Sequence, residues 1–364
     1  MIASDAFDPA GFLRDYWQRQ PLLIRHALPN FEDPLSTEEL AGLSLEPDIE
    51  SRLIECTADT WSVEYGPFQE NSFSRDNPWT LLVQAVDHHV PAVAHLRQLI
   101  DFLPQWRIDD IMISYATDGG GVGPHYDNYD VFLLQGRGQR RWRLGQYCDE
   151  NEALLPHDEL RVLDNFHDES EYTVEAGDIL YVPPRLAHWG IAIGDCMTYS
   201  IGLRAPRIND LLSRWTDDLT EKLDPELLYR DPPLTPASAA GEISHNSVRA
   251  ALAQLQSLLE QAPENPDWFG ELVTEPRYDD LEPPPRCTLA ADALLSLNPA
   301  SRLAWSQQAD ALRVYANGDT LAAPLDCRTL LEQLCGGLTV CPGKDTAQLL
   351  LLDMLYQLGC IDVG

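Results

Sequence analysis

The 364-residue sequence predicts an α+β protein in which a small β-barrel is followed by a helical region and a winged-helix-like unit. Three observations predict this. Between residues 106 and 204, short apolar runs alternate with Gly and Asp turns, the pattern of a sandwich or barrel. Beyond Pro206 the apolar period becomes helical. Pro-rich stretches at 231–236 and 282–286 then punctuate the chain, and the expected divisions are 1–207, 208–281 and 282–364.

In chain order, residues 8–18 read as a short amphipathic helix, with Pro9 in the first turn where its missing N–H costs nothing. Residues 21–25 follow as a strand. Helices are expected at 36–42 and 78–103, the second with an apolar stripe through Leu82, Val83, Val86 and Leu96. Strands are expected at 110–116, 129–135, 139–145, 171–174, 178–182, 187–193 and 196–204. Helices at 208–223 and 247–260 carry apolar faces that suit either dimerisation or packing within one chain. The last part reads as a helix at 288–296, strands at 302–306 and 311–315 with a turn at Asn317, Gly318 and Asp319, then helices at 328–335 and 345–358. That order fits a winged helix.

Composition narrows the function. The net charge is −33, and Lys222 and Lys344 are the two lysines. Direct nucleic-acid binding is disfavoured, because phosphates demand positive charge. The charge either draws in a basic protein or serves solubility. No apolar run is long enough to span a membrane, and the first residues lack a signal-peptide pattern, so a cytoplasmic protein is expected. The eight cysteines form no Cys-x-x-Cys pair; reduced thiols are expected.

The chemistry centres on His125, Tyr126 and Asp127, with His188 far along the chain. Two imidazoles and one carboxylate match the facial triad of non-haem Fe(II) oxygenases. On a strand, positions i and i+2 share a face, so His125 and Asp127 can hold one ion. A Gly177-Asp178 turn, an apolar run, Pro183-Pro184 and then His188 is how a cupin-type barrel delivers its last ligand. The ordinary alternative is a pair of buried histidines. His157-Asp158-Glu159 and His167-Asp168-Glu169 also fit His-x-acid, but they lie in an acidic, strand-poor insertion without a rigid scaffold.

Three protein ligands leave room for a bidentate 2-oxo acid and O2. The second carboxylate of 2-oxoglutarate needs a cation inside the barrel, and Arg140 is the candidate. Alternation groups it with Trp142 and Leu144, opposite Arg141 and Arg143. Ser114, on the face of Met112, is a candidate hydroxyl donor to the same carboxylate. Asp118, at the mouth of the glycine loop, is a candidate partner for a cationic substrate side chain, although a loop aspartate is more often a turn former.

Trp106-Arg107-Ile108-Asp109-Asp110, Met112-Ile113-Ser114, the glycine loop from Gly119 to His125, Tyr129-Asp130-Val131-Phe132, Arg140-Arg141-Trp142-Arg143, Gly177-Asp178-Ile179-Leu180-Tyr181 and Gly202-Leu203-Arg204-Ala205-Pro206 carry a resemblance over nearly the whole chain. The sequence resembles the bacterial JmjC-type ribosomal oxygenases, which hydroxylate an arginine of a large-subunit ribosomal protein. The resemblance implies a double-stranded β-helix, a central dimerisation region making a homodimer, and a C-terminal winged helix. It implies Fe(II) ligation by His125, Asp127 and His188, 2-oxoglutarate held by Arg140 and Ser114, O2 as cosubstrate, and a 3-hydroxyarginine product. Tyr126, Asn128 and Asp118 depart from the family pattern and put only substrate contacts in question. An N-methyl demethylase or a non-catalytic acidic scaffold would be the other readings.

Overall fold

The computed structural model describes residues 2, 7–57, 60–157, 159–233, 241–262, 264–277, 284, 289–290, 292–341 and 343–363. Its first part runs α1 (Pro9–Asp15), β1 (Leu22–Ile24), α2 (Thr37–Leu43), β2 (Ser51–Thr57), β3 (Thr60–Tyr65), β4 (Trp79–Val83), α3 (Val86–His89), α4 (Pro91–Ala94), β5 (Ile108–Ala116), β6 (Asp130–Tyr147), β7 (Ser170–Val174), β8 (Ile179–Val182) and β9 (Leu186–Leu203). There follow α5 (Ile208–Lys222), α6 (His245–Gln261), α7 (Asp267–Thr274), β10 (Leu295–Leu297), β11 (Leu303–Gln307), β12 (Leu312–Ala316), β13 (Asp319–Ala323), α8 (Arg328–Cys335), α9 (Thr346–Gln357) and β14 (Ile361–Val363). This is the expected order of a double-stranded β-helix, helices and a winged helix.

The barrel is one antiparallel sheet ordered β1-β8-β6-β9-β5-β4-β2-β3, with β7 on β6. Its spine is the pair β6 and β9, which runs from Asp130 opposite Leu203 to Tyr147 opposite Leu186. Each is 18 residues long. The sequence reading split each into two strands, because Gly136, Gly138 and Gly194 look like ends. They are instead irregularities within a continuous ladder, whose register shifts between Gln135 and Gln139. Gly138 has φ +66°, and a Cβ there would lie 2.2 Å from the Asp195 carbonyl. Before the shifts β6 pairs with β8 over Val131–Leu134, and after them with β7 over Arg140–Leu144.

The expected helix at 78–103 is corrected. Its first residues form β4, buried at all five positions between β2 and β5. A strand covered on both faces is apolar throughout, so it shows no period of two and mimics a helix stripe. Only short helical turns follow it, α3, α4 and the 3-10 turn His95–Ile100. The expected helix at 288–296 is corrected as well: its described residues are non-helical, and Leu295–Leu297 pairs antiparallel with β14. The Pro-rich positions 234–236, 282–283 and 285–286 lie outside the described residues.

Two apolar layers hold the barrel. On its outer side, Phe12 of α1 packs edge-on to Tyr181 at 4.8 Å, and Phe132 lies 5.0 Å from Tyr181. Asp8 caps α1 by accepting from the Ala10 N–H, Pro9 takes its first turn, and burying Phe12 is worth about 1.5–3 kcal/mol. The inner layer is Val131, Leu133, Trp142, Leu144, Val174, Leu180, Val182 and Leu186.

In the C-terminal unit, α8 and α9 pack over β11–β13 through Leu331, Leu334, Leu352 and Leu355. Helix α7 joins them: Gly270 lies so close to Tyr315 that a Cβ would sit 2.4 Å from its ring, and Asp267 pairs with Arg313 at 2.5 Å. Arg302 and Arg277 tie this unit to the barrel through Asp109, at 2.7 and 2.8 Å. Neither α5 nor α6 buries a residue.

Candidate functional site

His125 does not lie in a strand proper. It forms a single antiparallel bridge with His188 of β9, with N–H to O distances of 3.0 and 2.8 Å. Asp127 follows in irregular backbone, and β6 begins only at Asp130. The expectation of two neighbouring positions within one strand is therefore corrected. A local bond does the work instead: the Asp127 carbonyl accepts from the Arg185 N–H at 2.6 Å, across the turn that follows Pro183-Pro184. Arg185 has φ +67°, and its own carbonyl accepts from Cys148 at 2.7 Å. A non-glycine residue in the left-handed region costs roughly 1–2 kcal/mol, and such strain gathers at functional sites. The sequence signal was the Pro-Pro-Arg turn; its clamp on the Asp127 backbone was not foreseen.

The three side chains converge. One donor atom each from His125, Asp127 and His188 lies within 4.8 Å of the other two, and His188 Nε2 is 3.6 Å from Asp127 Oδ2. The Nδ1 atoms of His125 and His188 sit 3.0 and 2.9 Å from the carbonyls of Gly123 and Leu186. Those carbonyls accept the Nδ1 protons, which leaves each Nε2 lone pair for a metal. Burial, reinforced by His125 and opposed by Asp127, pushes the His188 imidazolium down to about 4. It is therefore neutral near pH 7, as a ligand must be. This donor set suits ferrous iron: two imidazoles, one carboxylate, all on one side.

The competing motifs do not assemble. His157 Nδ1 accepts from the N–H groups of Glu159 and Leu160, and its neighbour Asp158 lies outside the described residues. Asp168, in the second motif, pairs with Arg143 at 2.6 Å. Among the described residues the triad is the one such group of three ligands.

Arg140 sits on β6 opposite Ala192 and Val174 and is 5% exposed. Its Nη1 donates to the Ser114 hydroxyl at 3.1 Å, while Nε and Nη2 are buried without a partner. No carboxylate pairs with it among the described residues. Arg141 and Arg143 point the other way, toward Glu171 and Asp168, as the alternation predicts. A buried guanidinium with two unanswered donors is costly alone and matches a carboxylate in a bidentate grip. Oxo-acid chemistry thus fits this floor. Gly190 makes the room: a Cβ there would lie 2.7 Å from Trp142 Cη2 and 3.1 Å from Arg140 Cδ. The glycine loop seals one side, since a Cβ on Gly121 would lie 2.4 Å from the Gly190 carbonyl.

The Asp118 carboxylate accepts from the Gly194 N–H at 2.7 Å, which ties the start of the glycine loop to β9. The acidic insertion after β6 closes against the mouth: Leu163 N–H donates to the Pro124 carbonyl at 2.8 Å, and Val162 packs near Trp61 of β3 beside Gly123. Sequence reasoning did not foresee that packing, because β2 and β3 were not predicted.

Comparison with known proteins agrees with this architecture. The JmjC domain family matches residues 95–211, and the ROXA-like winged helix matches 257–352. The chain is 37% identical to the ribosomal protein uL16 3-hydroxylase of Escherichia coli, over 86% of this chain and 85% of that one. It is 34% identical to a probable ribosomal oxygenase of Haemophilus influenzae, over 86% and 82%. The structure of YcfD, a ribosomal oxygenase from Escherichia coli, in complex with cobalt and 2-oxoglutarate, superimposes with a TM-score of 0.82 at 32% identity and covers 100% of this chain and 99% of that one.

Proposed function

Because this chain belongs to the JmjC-type ribosomal oxygenase family, we propose that it is an Fe(II)- and 2-oxoglutarate-dependent hydroxylase of ribosomal protein uL16, acting at C3 of an arginine side chain. His125, Asp127 and His188 hold the iron, and Arg140 with Ser114 holds the distal carboxylate of 2-oxoglutarate. Bound there, iron, 2-oxoglutarate and O2 supply the oxidising power for C–H hydroxylation, with succinate and CO2 released. The protein contributes orientation and exclusion of water. The two Nδ1–carbonyl bonds fix both imidazoles, and the Arg185 bond fixes the backbone that carries Asp127. One observation carries the reading: Arg140, buried and short of an anion, shares a barrel with a complete metal triad.

The surroundings agree with a basic protein substrate of the large ribosomal subunit. A net charge of −33 attracts it at long range and disfavours direct binding to nucleic acid. No helix among the described residues is long and apolar enough to cross a membrane. A cytoplasmic location, where ribosomes assemble, follows from the substrate. The divisions 1–207, 208–281 and 282–364 then separate oxygenase, dimerisation and winged-helix parts, the last serving as a structural or protein-binding element. Homodimerisation rests on α5 and α6, which have no fully buried residue and expose Ile208, Leu212, Val248, Leu252 and Leu255. Such a face needs a cover, and a second copy supplies one of the same chemistry. Mass spectrometry of uL16 from a strain lacking the gene tests the substrate. The arginine-containing peptide is expected to lose the mass of one oxygen atom; an unchanged peptide contradicts the proposal.

A further inference from the structure

Trp142 leaves its indole nitrogen without a partner inside the barrel. The residue is 5% exposed, and its ring packs within the inner apolar layer beside Leu133, Val174 and Leu186. That packing accounts for the ring and not for the N–H. A buried donor left unanswered costs about 1–3 kcal/mol, and buried tryptophans ordinarily find an acceptor. Phenylalanine would keep an aromatic ring in this layer, though a smaller one, without a donor to satisfy. An acceptor absent from the protein itself is therefore expected at this edge of the ring.

The position of the ring identifies the acceptor. Its centre lies 5.8 Å from that of His188, a candidate metal ligand, and 5.7 Å from the Arg140 guanidinium carbon. Trp142 thus stands between the metal end of the floor and its cationic end. The missing side chain of Gly190 lets both residues crowd one spot: a Cβ there would meet Trp142 Cη2 and Cζ3 at 2.7 and 2.8 Å, and Arg140 Cδ at 3.1 Å. The benzo edge of the indole is held against that glycine. Arg140 Nε and Nη2 are unpartnered on the same floor, two residues away on the same face of β6. Three buried, unpartnered donors carried by two residues whose guanidinium and ring are 5.7 Å apart, with no carboxylate of the protein paired to Arg140 among the described residues, suit an anion.

We propose that the Trp142 N–H is a further donor to the cosubstrate, hydrogen-bonded to the carboxylate of 2-oxoglutarate that Arg140 faces. The inference rests on the reading of this barrel as a 2-oxoglutarate site. Trp142 is then a binding residue: it fixes the carboxylate that the guanidinium neutralises and adds direction to a charge interaction. The strand alternation already places it, because inward positions 140 and 142 follow one another.

The test uses full-length protein loaded with Zn(II), which binds at the triad without turnover, and labelled with 15N-tryptophan. The Trp142 indole resonance is assigned by its loss in Trp142→Phe and, independently, by through-space contacts to Gly190. Adding 2-oxoglutarate is expected to move that resonance downfield. By calorimetry, Trp142→Phe is expected to bind 2-oxoglutarate about tenfold more weakly, the lower end of a hydrogen bond to a charged acceptor, with unchanged Zn(II) affinity. A merely structural role would alter melting and metal affinity and leave the indole resonance where it was. An unmoved resonance, or a variant with wild-type affinity for 2-oxoglutarate, overturns the inference while the site reading stands. Wild-type protein that binds no 2-oxoglutarate overturns both.

Discussion

Inside the barrel, Arg140 keeps two guanidinium nitrogens and Trp142 its indole nitrogen unanswered, among apolar side chains that are otherwise packed. Along α6, 17 residues carry Val248, Leu252 and Leu255 out to solvent, and none is buried. The first region is short of an acceptor for polar donors; the second is short of a cover for apolar surface. Opposite deficits call for opposite partners, a small anion within and another protein surface without. The comparison teaches that a missing partner can be inferred from what a region leaves unsatisfied, and that its chemistry is the complement of that residue set.

The sharpest way to break the first half is at the metal. Asp127→Ala is expected to lower succinate formation by about 1000-fold or more, the several kcal/mol a bound ion supplies, with the fold retained by circular dichroism. Full turnover in that variant would remove the triad from the account. Next in size is Arg140→Met. It is expected to raise the KM for 2-oxoglutarate by about 100-fold, as loss of a buried charged partner does. The same change removes an unpaired buried charge, so the ligand-free protein is expected to gain about 1–4 kcal/mol in denaturant unfolding. A variant that binds 2-oxoglutarate normally, or loses stability without it, would show that the guanidinium already has what it needs.

The outer half is tested by placing Asp at Leu252 and Leu255. Sedimentation is expected to show a dimer becoming a monomer at micromolar concentration, while affinity for 2-oxoglutarate changes by less than about twofold. A variant that stays dimeric would move the interface elsewhere. The smallest expected effect concerns charge. Raising salt from about 0.05 to 0.5 M is expected to reduce kcat/KM for the basic protein substrate severalfold and to leave the KM for 2-oxoglutarate unaltered, since screening reaches surface charges far more than buried ones. Equal salt sensitivity in both would detach the acidic surface from substrate capture.

Much of the site was legible because its chemistry demands particular residue types. His125, Asp127 and His188 could be matched across distant segments, and alternation, with Trp142 and Leu144 on the face of Arg140, turned Arg140 inward and Arg143 outward. The backbone between the ligands was not legible. Asp127 sits in irregular chain held by Arg185, a turn whose φ no composition rule announces. In the fold, β4 was hidden because burial on both faces erases its period, and β10 and β14 because three residues carry no pattern. Strands β6 and β9 were seen in halves, since a glycine that permits a bulge reads like a glycine that ends a strand. What the sequence hid in each case was pairing across the sheet, which depends on residues far away in the chain.

The most direct measurement combines purified protein, Fe(II), 2-oxoglutarate, O2 and recombinant uL16, following succinate and the peptide masses in one reaction. The account predicts one succinate for each arginine that gains a single oxygen, with tandem fragmentation placing it at C3. Succinate released without any oxygen appearing on uL16, or a methyl group lost from a methylated peptide in its place, would contradict it.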